Sequence, residues 1–196
     1  MVYEGEPAVQ RLRDLGLTIE DLTYALATGD REARRYRTDH DPPIMSGLAR
    51  WAGTVRGLRD RLVPSGWHVK NSANLPVTLS PDEALGIVAV TGNENTGIRG
   101  PHSPCTQRPR GVVTLQAIER NRDQFEKQLG LPLEGLDVPL EDMTQDLGSF
   151  ILWILLYHEH QDKIWAELSL PISIHEERHV GRWHERILLP TATPDG

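Results

Sequence analysis

The chain has 196 residues, 38% of them hydrophobic and 25% charged, with a formal net charge of −7. A chain of that size can bury roughly 70% of its unfolded surface, and its ordinary composition excludes global disorder. The single cysteine, Cys105, excludes an internal disulfide and a multi-cysteine zinc cage, and the acidic total excludes attraction of the whole chain to nucleic acid.

The first 63 residues read as helices. Thr18-Ile-Glu-Asp21 predicts a capping box, with Ile19, Leu22 and Leu26 following at helical spacing and Gly29 closing the segment. Asp30 predicts a cap for a short Arg-rich helix, Arg31 to Arg37, which Asp41-Pro42-Pro43 ends. Ser46 predicts the next cap, before an apolar stripe of Leu48, Trp51, Val55, Leu58 and Leu62 that Pro64 and Gly66 stop.

The period then changes. Leu75–Leu79 and Ala84–Thr91 predict strands around the turn Ser80-Pro-Asp-Glu83. Pro76 puts the first at an edge or at a strand start, and the nearly continuous apolar run of the second suits a central strand. Residues 92–111 have no periodicity and many Gly and Pro; a loop this long is functional or disordered. A helix is predicted from Thr114, with Ile118, Phe125 and Leu129 on one stripe and Gly130 as its stop. A Pro- and acid-rich connection follows over 131–145.

The last third predicts a meander. Its parts are a strand at Phe150–Tyr157, a polar turn at 158–163, a strand at Ile164–Ile174 with one buried face, a link to Gly181, and a strand marked by Trp183, Ile187 and Leu189. The expected fold class is α+β: an N-terminal helical layer packed on a mostly antiparallel sheet of about five strands, with one further helix over about 114–129. A single domain is expected over 1–196, with a helical part at 1–63, a sheet-containing part at 64–190 and a frayed tail at 191–196.

His175-Glu-Glu-Arg-His179 spells the zinc-protease signature, which works on a helix. Here it follows a run of period two, and Pro171 lies where that helix would run, so no metal site is expected. His175, His179 and His184 form the alternative ligand set. His158 and His160 are expected to point the same way and are read as solubilising turn residues. Gly92 and Gly97 have the spacing of a phosphate loop, but Ile98-Arg99 stands where Lys-Ser/Thr is required and no helix start follows. A looser contact to phosphate or an acidic partner remains, with Asn93, Glu94, Asn95, Thr96, Arg99, Arg108 and Arg110 as binding-loop candidates. Cys105 is read as incidental. Glu159, Asp162, Glu167 and Glu185, with Lys163 near, are the carboxylates weighed for nuclease chemistry.

Residues 1–70 carry 11 basic and 10 acidic side chains, whereas residues 131–196 carry 4 and 12. Arg31, Arg34, Arg35 and Arg37 are the candidates for a basic face that could meet nucleic acid. Of the 21 basic residues 18 are Arg, as a GC-rich bacterial genome gives. With no bilayer-length apolar run and no export signal at Met-Val-Tyr-Glu, a cytoplasmic protein is expected. No catalytic constellation survives, so the expected function is that of a non-enzymatic binding or accessory protein without a cofactor. It would act on a protein or nucleic-acid partner, or on copies of itself, in a multi-component system. The alternative is a metal-dependent hydrolase or nuclease with a site formed by loops 92–111, 158–163 and 175–184.

Overall fold

Thr18 caps a helix of the N-terminal layer as its sequence requires. Its hydroxyl accepts from the Asp21 amide, and the Asp21 carboxylate accepts from the Thr18 amide, which completes the capping box. The structure, a computed structural model, describes residues 1–72, 74–129, 150–174 and 176–191. Three helices form the layer: α1 (Glu6–Asp14), α2 (Ile19–Arg34) and α3 (Met45–Leu62). Helix α2 runs through Gly29 instead of stopping there, so the separate helix expected from Arg31 is its last turn. Gly29 is a contact residue: a Cβ there would come within 2.7 Å of the Arg50 carbonyl on α3. Gly53 and Gly57 of α3 answer it, since a Cβ at either would come within 2.9 Å of α2 backbone. The two helices therefore cross at backbone distance, where small residues alone fit. Helix α3 begins at Met45 without a side-chain cap, so Ser46 does not cap it.

The strands are β1 (Val2–Tyr3), β2 (His68–Ser72), β3 (Leu75–Leu79), β4 (Leu85–Thr91), β5 (Ile151–His160), β6 (Lys163–Ile174) and β7 (Val180–Leu188), in the order β1-β7-β6-β5-β4-β3-β2. The sheet is mixed: β4 pairs with β5, and β1 with β7, in parallel, and the other neighbours are antiparallel. The fold is thus the α+β class expected, with seven strands in place of about five. The two additional strands lie at the edges. β1 has two residues, and the β2 sequence His-Val-Lys-Asn-Ser is mostly polar, so neither carries an apolar alternation.

Helices cover both faces. Ile87, Ala89, Trp153, Leu155, Tyr157, Ala166 and Leu168 pack with α1, α2 and α3. Val88, Val90, Leu152, Ile154 and Leu156 pack with Ala117 and Ile118 of α4 (Val112–Leu129), the crossover helix between β4 and β5. Strand β6 is therefore buried on two faces, not one: Glu167 and Ser169 are as covered as Leu168. Asn121 of α4 is buried and fastens the sheet. Its amide donates to the carbonyls of Leu152 (2.8 Å) and Pro171 (3.0 Å), and its oxygen accepts from the Leu152 amide (2.9 Å). Pro171 sits where the β6–β7 register shifts, so a proline is tolerated inside the sheet at a bulge.

Strands β5 and β6 are longer than the sequence suggests. Their turn is only Gln161-Asp162, both left-handed (φ 51° and 55°), as a two-residue hairpin of matching twist requires. His158, Glu159 and His160 lie in β5 and not in a turn. From Trp165 to Leu188 the described backbone is two strands and a three-residue 3-10 turn at Glu176–Arg178. Among the described residues, Glu176–His179 of the His-Glu-x-x-His run lie in no α-helix. Gly130, the 131–145 connection, His175 and the tail from residue 192 lie outside the described residues. Among the described residues no helix is long and apolar enough to cross a membrane.

Candidate functional site

Strand β3 leaves β4 early. Their pairing holds at Leu79 with Gly86 and at Thr78 with Ile87, and goes no further. Continuing that register would set Pro76 opposite Ala89, and the proline nitrogen has no proton to give. On its other side β3 stays paired with β2 through Leu75, so it follows β2 away. The end of β4, Val88–Thr91, keeps one bare edge. The Leu85 carbonyl accepts from the Ser80 amide and the Thr91 carbonyl from the Gln107 amide. Alternate residues of a strand face alternate sides, so the backbone N–H and C=O of Ala89, between them, face the gap.

The gap is a cleft of about 840 Å³. One wall is the start of α3, with Ile44, Leu48 and Trp51; the other is Gln107–Gly111 and the first turn of α4; Tyr157, His158 and Glu159 of β5 lie at its base. The lips are apolar and open to solvent, with Ile44 51%, Leu48 46%, Trp51 37% and Val112 46% exposed. The stripe predicted on α3 is thus buried only in its second half, at Val55, Leu58 and Leu62.

The cleft interior is charged. Arg50, buried, donates to Asp30 (2.9 Å) and to Glu159 (2.6 Å). Arg34 pairs with Asp30 at 2.8 Å, and Arg37 pairs with Glu159. Three guanidiniums thus surround two carboxylates. Glu159 accepts from two of them, one at each carboxylate oxygen, and the paired charges hold it in place. Arg110 differs. Its Nε donates to the carbonyls of Arg108 (3.2 Å) and Pro109 (3.3 Å), and no carboxylate pairs with it among the described residues. Burial lowers its pKa, neighbouring Arg108 lowers it further, and Tyr157 opposes them. Tyr157 is 1% exposed and its hydroxyl has no aligned hydrogen-bond partner. Burial raises the phenol pKa, while the Thr91 side chain, within reach of the hydroxyl but outside good hydrogen-bond geometry, and then Arg50 and Arg110 pull the other way. The hydroxyl is therefore a neutral donor, and leaving one buried without a partner costs about 1–3 kcal/mol.

The loop 92–111 divides in two. Its first half is pinned to the sheet. The Gly97 amide donates to Glu167 (2.8 Å), and Arg186 makes two bonds to Glu167 (2.9 and 2.6 Å) and one to the Ile98 carbonyl (3.0 Å). Gly97 has φ 70°, and a Cβ there would lie 2.6 Å from the Ala166 nitrogen. The glycine spacing seen in the sequence thus serves close packing, not a phosphate. Asn93 fastens the loop internally through the amides of Asn95 (3.3 Å) and Cys105 (3.1 Å). Thr96 is buried; Glu94 and Asn95 line a shallow surface depression; Arg99 reaches Glu4, at 4.0 Å. The second half brings Arg108 and Arg110 to the cleft. Of the seven loop candidates, these two share the site.

Loops 92–111 and 175–184 and the end of β5 do meet, but through bonds to backbone carbonyls. The Thr106 amide donates to Val180, the Arg110 amide to Arg178, and His158 Nδ1 to the Gly92 carbonyl at 3.2 Å. His179 Nδ1 donates to the Thr106 carbonyl at 2.6 Å, and His184 stacks on Phe125 with ring centroids 4.3 Å apart. Among the described residues no three His, Cys, Asp or Glu side chains converge as a metal site would need; His175 lies outside them. Glu185 pairs with Arg11 at 2.7 Å. Cys105 has its thiol pKa raised, by burial first and by Glu94 second, the opposite of an activated nucleophile. Of the basic-face candidates, Arg31 donates to Thr28 (3.1 Å), Arg35 pairs with Glu32 (3.2 Å), and Arg34 and Arg37 belong to the cleft network.

Sequence reasoning passed over Leu48, Trp51, Gln107 and Tyr157. Two signals bear on them: a proline in a strand that is not an edge, and an apolar stripe longer than the core needs. Together fold and cleft define an α+β protein with a ligand-sized crevice at an open strand edge. Compared with protein-family models, with curated proteins and with solved structures, the chain matches none of them.

Proposed function

We propose that the protein is a non-enzymatic binding protein that acts on a protein partner, holding an extended segment of that partner in the cleft between β3 and β4. The bare edge of β4 at Ala89 carries the reading. An unpaired strand edge offers a donor and an acceptor in alternation, which is what an extended polypeptide complements by adding a strand. The exposed lips at Ile44, Leu48, Trp51 and Val112 suit apolar side chains of such a segment. The hydrolase alternative has less support, because Glu159 and His179 are engaged by guanidiniums and a carbonyl. A nucleic-acid partner has less support as well, because Arg34, Arg35 and Arg37 are paired with carboxylates.

The test is selection of random peptides, displayed with free C-termini, on the full chain, followed by titration of the enriched sequences. Enriched peptides should bind the parent protein and lose at least tenfold in affinity to Leu48→Glu, which charges a lip while leaving the buried half of α3 intact. Absence of enrichment, binding that ignores Leu48→Glu, or a single-stranded oligonucleotide that occupies the cleft in its place would each overturn the proposal.

A further inference from the structure

Resting on the strand-capture reading, we propose that Arg110 and Tyr157 form a subsite for the C-terminal carboxylate of the captured segment, with Arg108 and the start of α4 beside it. Four observations meet at one end of the cleft. Arg110 is a half-buried guanidinium with no carboxylate among the described residues. The two buried arginines elsewhere that anchor structure, Arg50 and Arg186, are both paired, with Asp30 and Glu159 and with Glu167. Tyr157 lines the cleft, and its hydroxyl, buried behind that wall, has no aligned partner. Helix α4 directs its first turn at the same place, since Gly111, Val112, Val113 and Thr114 all line the cleft. That turn holds no acidic side chain to satisfy it, and the first N–H groups of a helix have no carbonyl of their own to bond.

The geometry favours a carboxylate at a chain end. A guanidinium presents two parallel N–H donors and matches a planar two-oxygen group, and a neutral phenol adds a third donor. These groups stand at the Thr91 end of the bare edge, where Tyr157 is the register partner of Thr91 in β5 and the Gln107 amide already caps the Thr91 carbonyl. Ala89 is then the residue left to pair with the ligand. A segment whose last residue sits at Arg110 runs parallel to β4, as β5 does on the other side, and it ends there because the 107–111 loop closes the crevice. The carboxylate oxygens only accept, and each donor named only donates, so no proton changes place on binding.

The test uses the most enriched peptide from the selection, made as the free acid, as the C-terminal amide and with two added glycines. Anisotropy titrations on the full chain should show the acid binding at least tenfold more tightly than the other two. Arg110→Ala should reduce acid binding to the level of the amide. Tyr157→Phe keeps the ring in the core and should weaken the acid severalfold without affecting the amide. Circular dichroism checks that both variants are folded. If acid, amide and extended peptide bind alike and all lose affinity to Leu48→Glu, the carboxylate subsite is wrong and strand capture stands. If no form binds, both fail. If inorganic phosphate displaces the acid at concentrations where acetate does not, the subsite is one for phosphate and this proposal is overturned.

Discussion

Asn121 is a single side chain on which three backbone groups depend. Removing it leaves the amide and carbonyl of Leu152 and the carbonyl of Pro171 without that partner in a buried setting. At about 1–3 kcal/mol for each unsatisfied group, with some relaxation, Asn121→Ala should lose about 3 kcal/mol in urea unfolding. Tyr157 makes a prediction in pH. Its phenol pKa is raised in the folded state, so the unfolded chain, near pH 10, releases that proton first. The contribution of Tyr157 is complete below that pH and falls as pH rises through the folded value. Tyr157→Phe should therefore flatten the alkaline loss of stability, measured as the difference between parent and variant midpoints from pH 9 to 11. Of the site itself, the sequence showed Arg108 and Arg110 as loop residues, because long loops rich in Gly and Pro announce themselves. It did not show Tyr157, which reads as one more apolar position of a core strand. A missing partner for one hydroxyl is a three-dimensional fact with no trace in spacing.

Among the elements, the first half of loop 92–111 is pinned to the sheet by the Glu167–Arg186 pair. Glu167→Ala leaves a buried guanidinium without its anion and should cost about 3–5 kcal/mol, whereas Glu167→Met with Arg186→Met should cost far less than the sum of the single changes. The same bond protects the Gly97 amide. In hydrogen exchange that amide should close like a sheet amide in the parent and open in Glu167→Ala. The α2–α3 pair depends on small residues in the same way. Gly57→Leu would drive a side chain into Ala25 backbone and should lose about 3 kcal/mol. The periodicity announced the buried half of α3 and strands β4 to β7. It ended α2 at Gly29, because a helix stop and a close crossing select the same residue. It set His158 to His160 in a turn, because a hairpin closed by Gln161-Asp162 lacks the glycine that marks such turns.

Across the whole molecule the helical layer is tied to the sheet at the cleft by Arg34, Asp30, Arg50, Glu159 and Arg37. Arg50→Met removes the centre of that chain, but Arg34 still serves Asp30 and Arg37 still serves Glu159. The loss should therefore fall below that of an orphaned buried charge, at about 2 kcal/mol, in the same urea assay. The sequence allotted Arg34 and Arg37 to a basic face; in the fold their charges balance carboxylates.

Pro76 has the widest consequence. It props a seam ajar that sequence on either side would otherwise zip shut, since β3 and β4 continue past the point where their ladder ends. Pro76→Val would supply the absent donor opposite Ala89. The new bond is worth about 1 kcal/mol, and the freedom that the unfolded chain regains takes back about 0.4–1 kcal/mol. The melting temperature should hardly move, while the Ala89 amide gains protection and peptide uptake disappears. An unchanged Ala89 exchange rate in that variant would mean that something other than the imino acid holds the door.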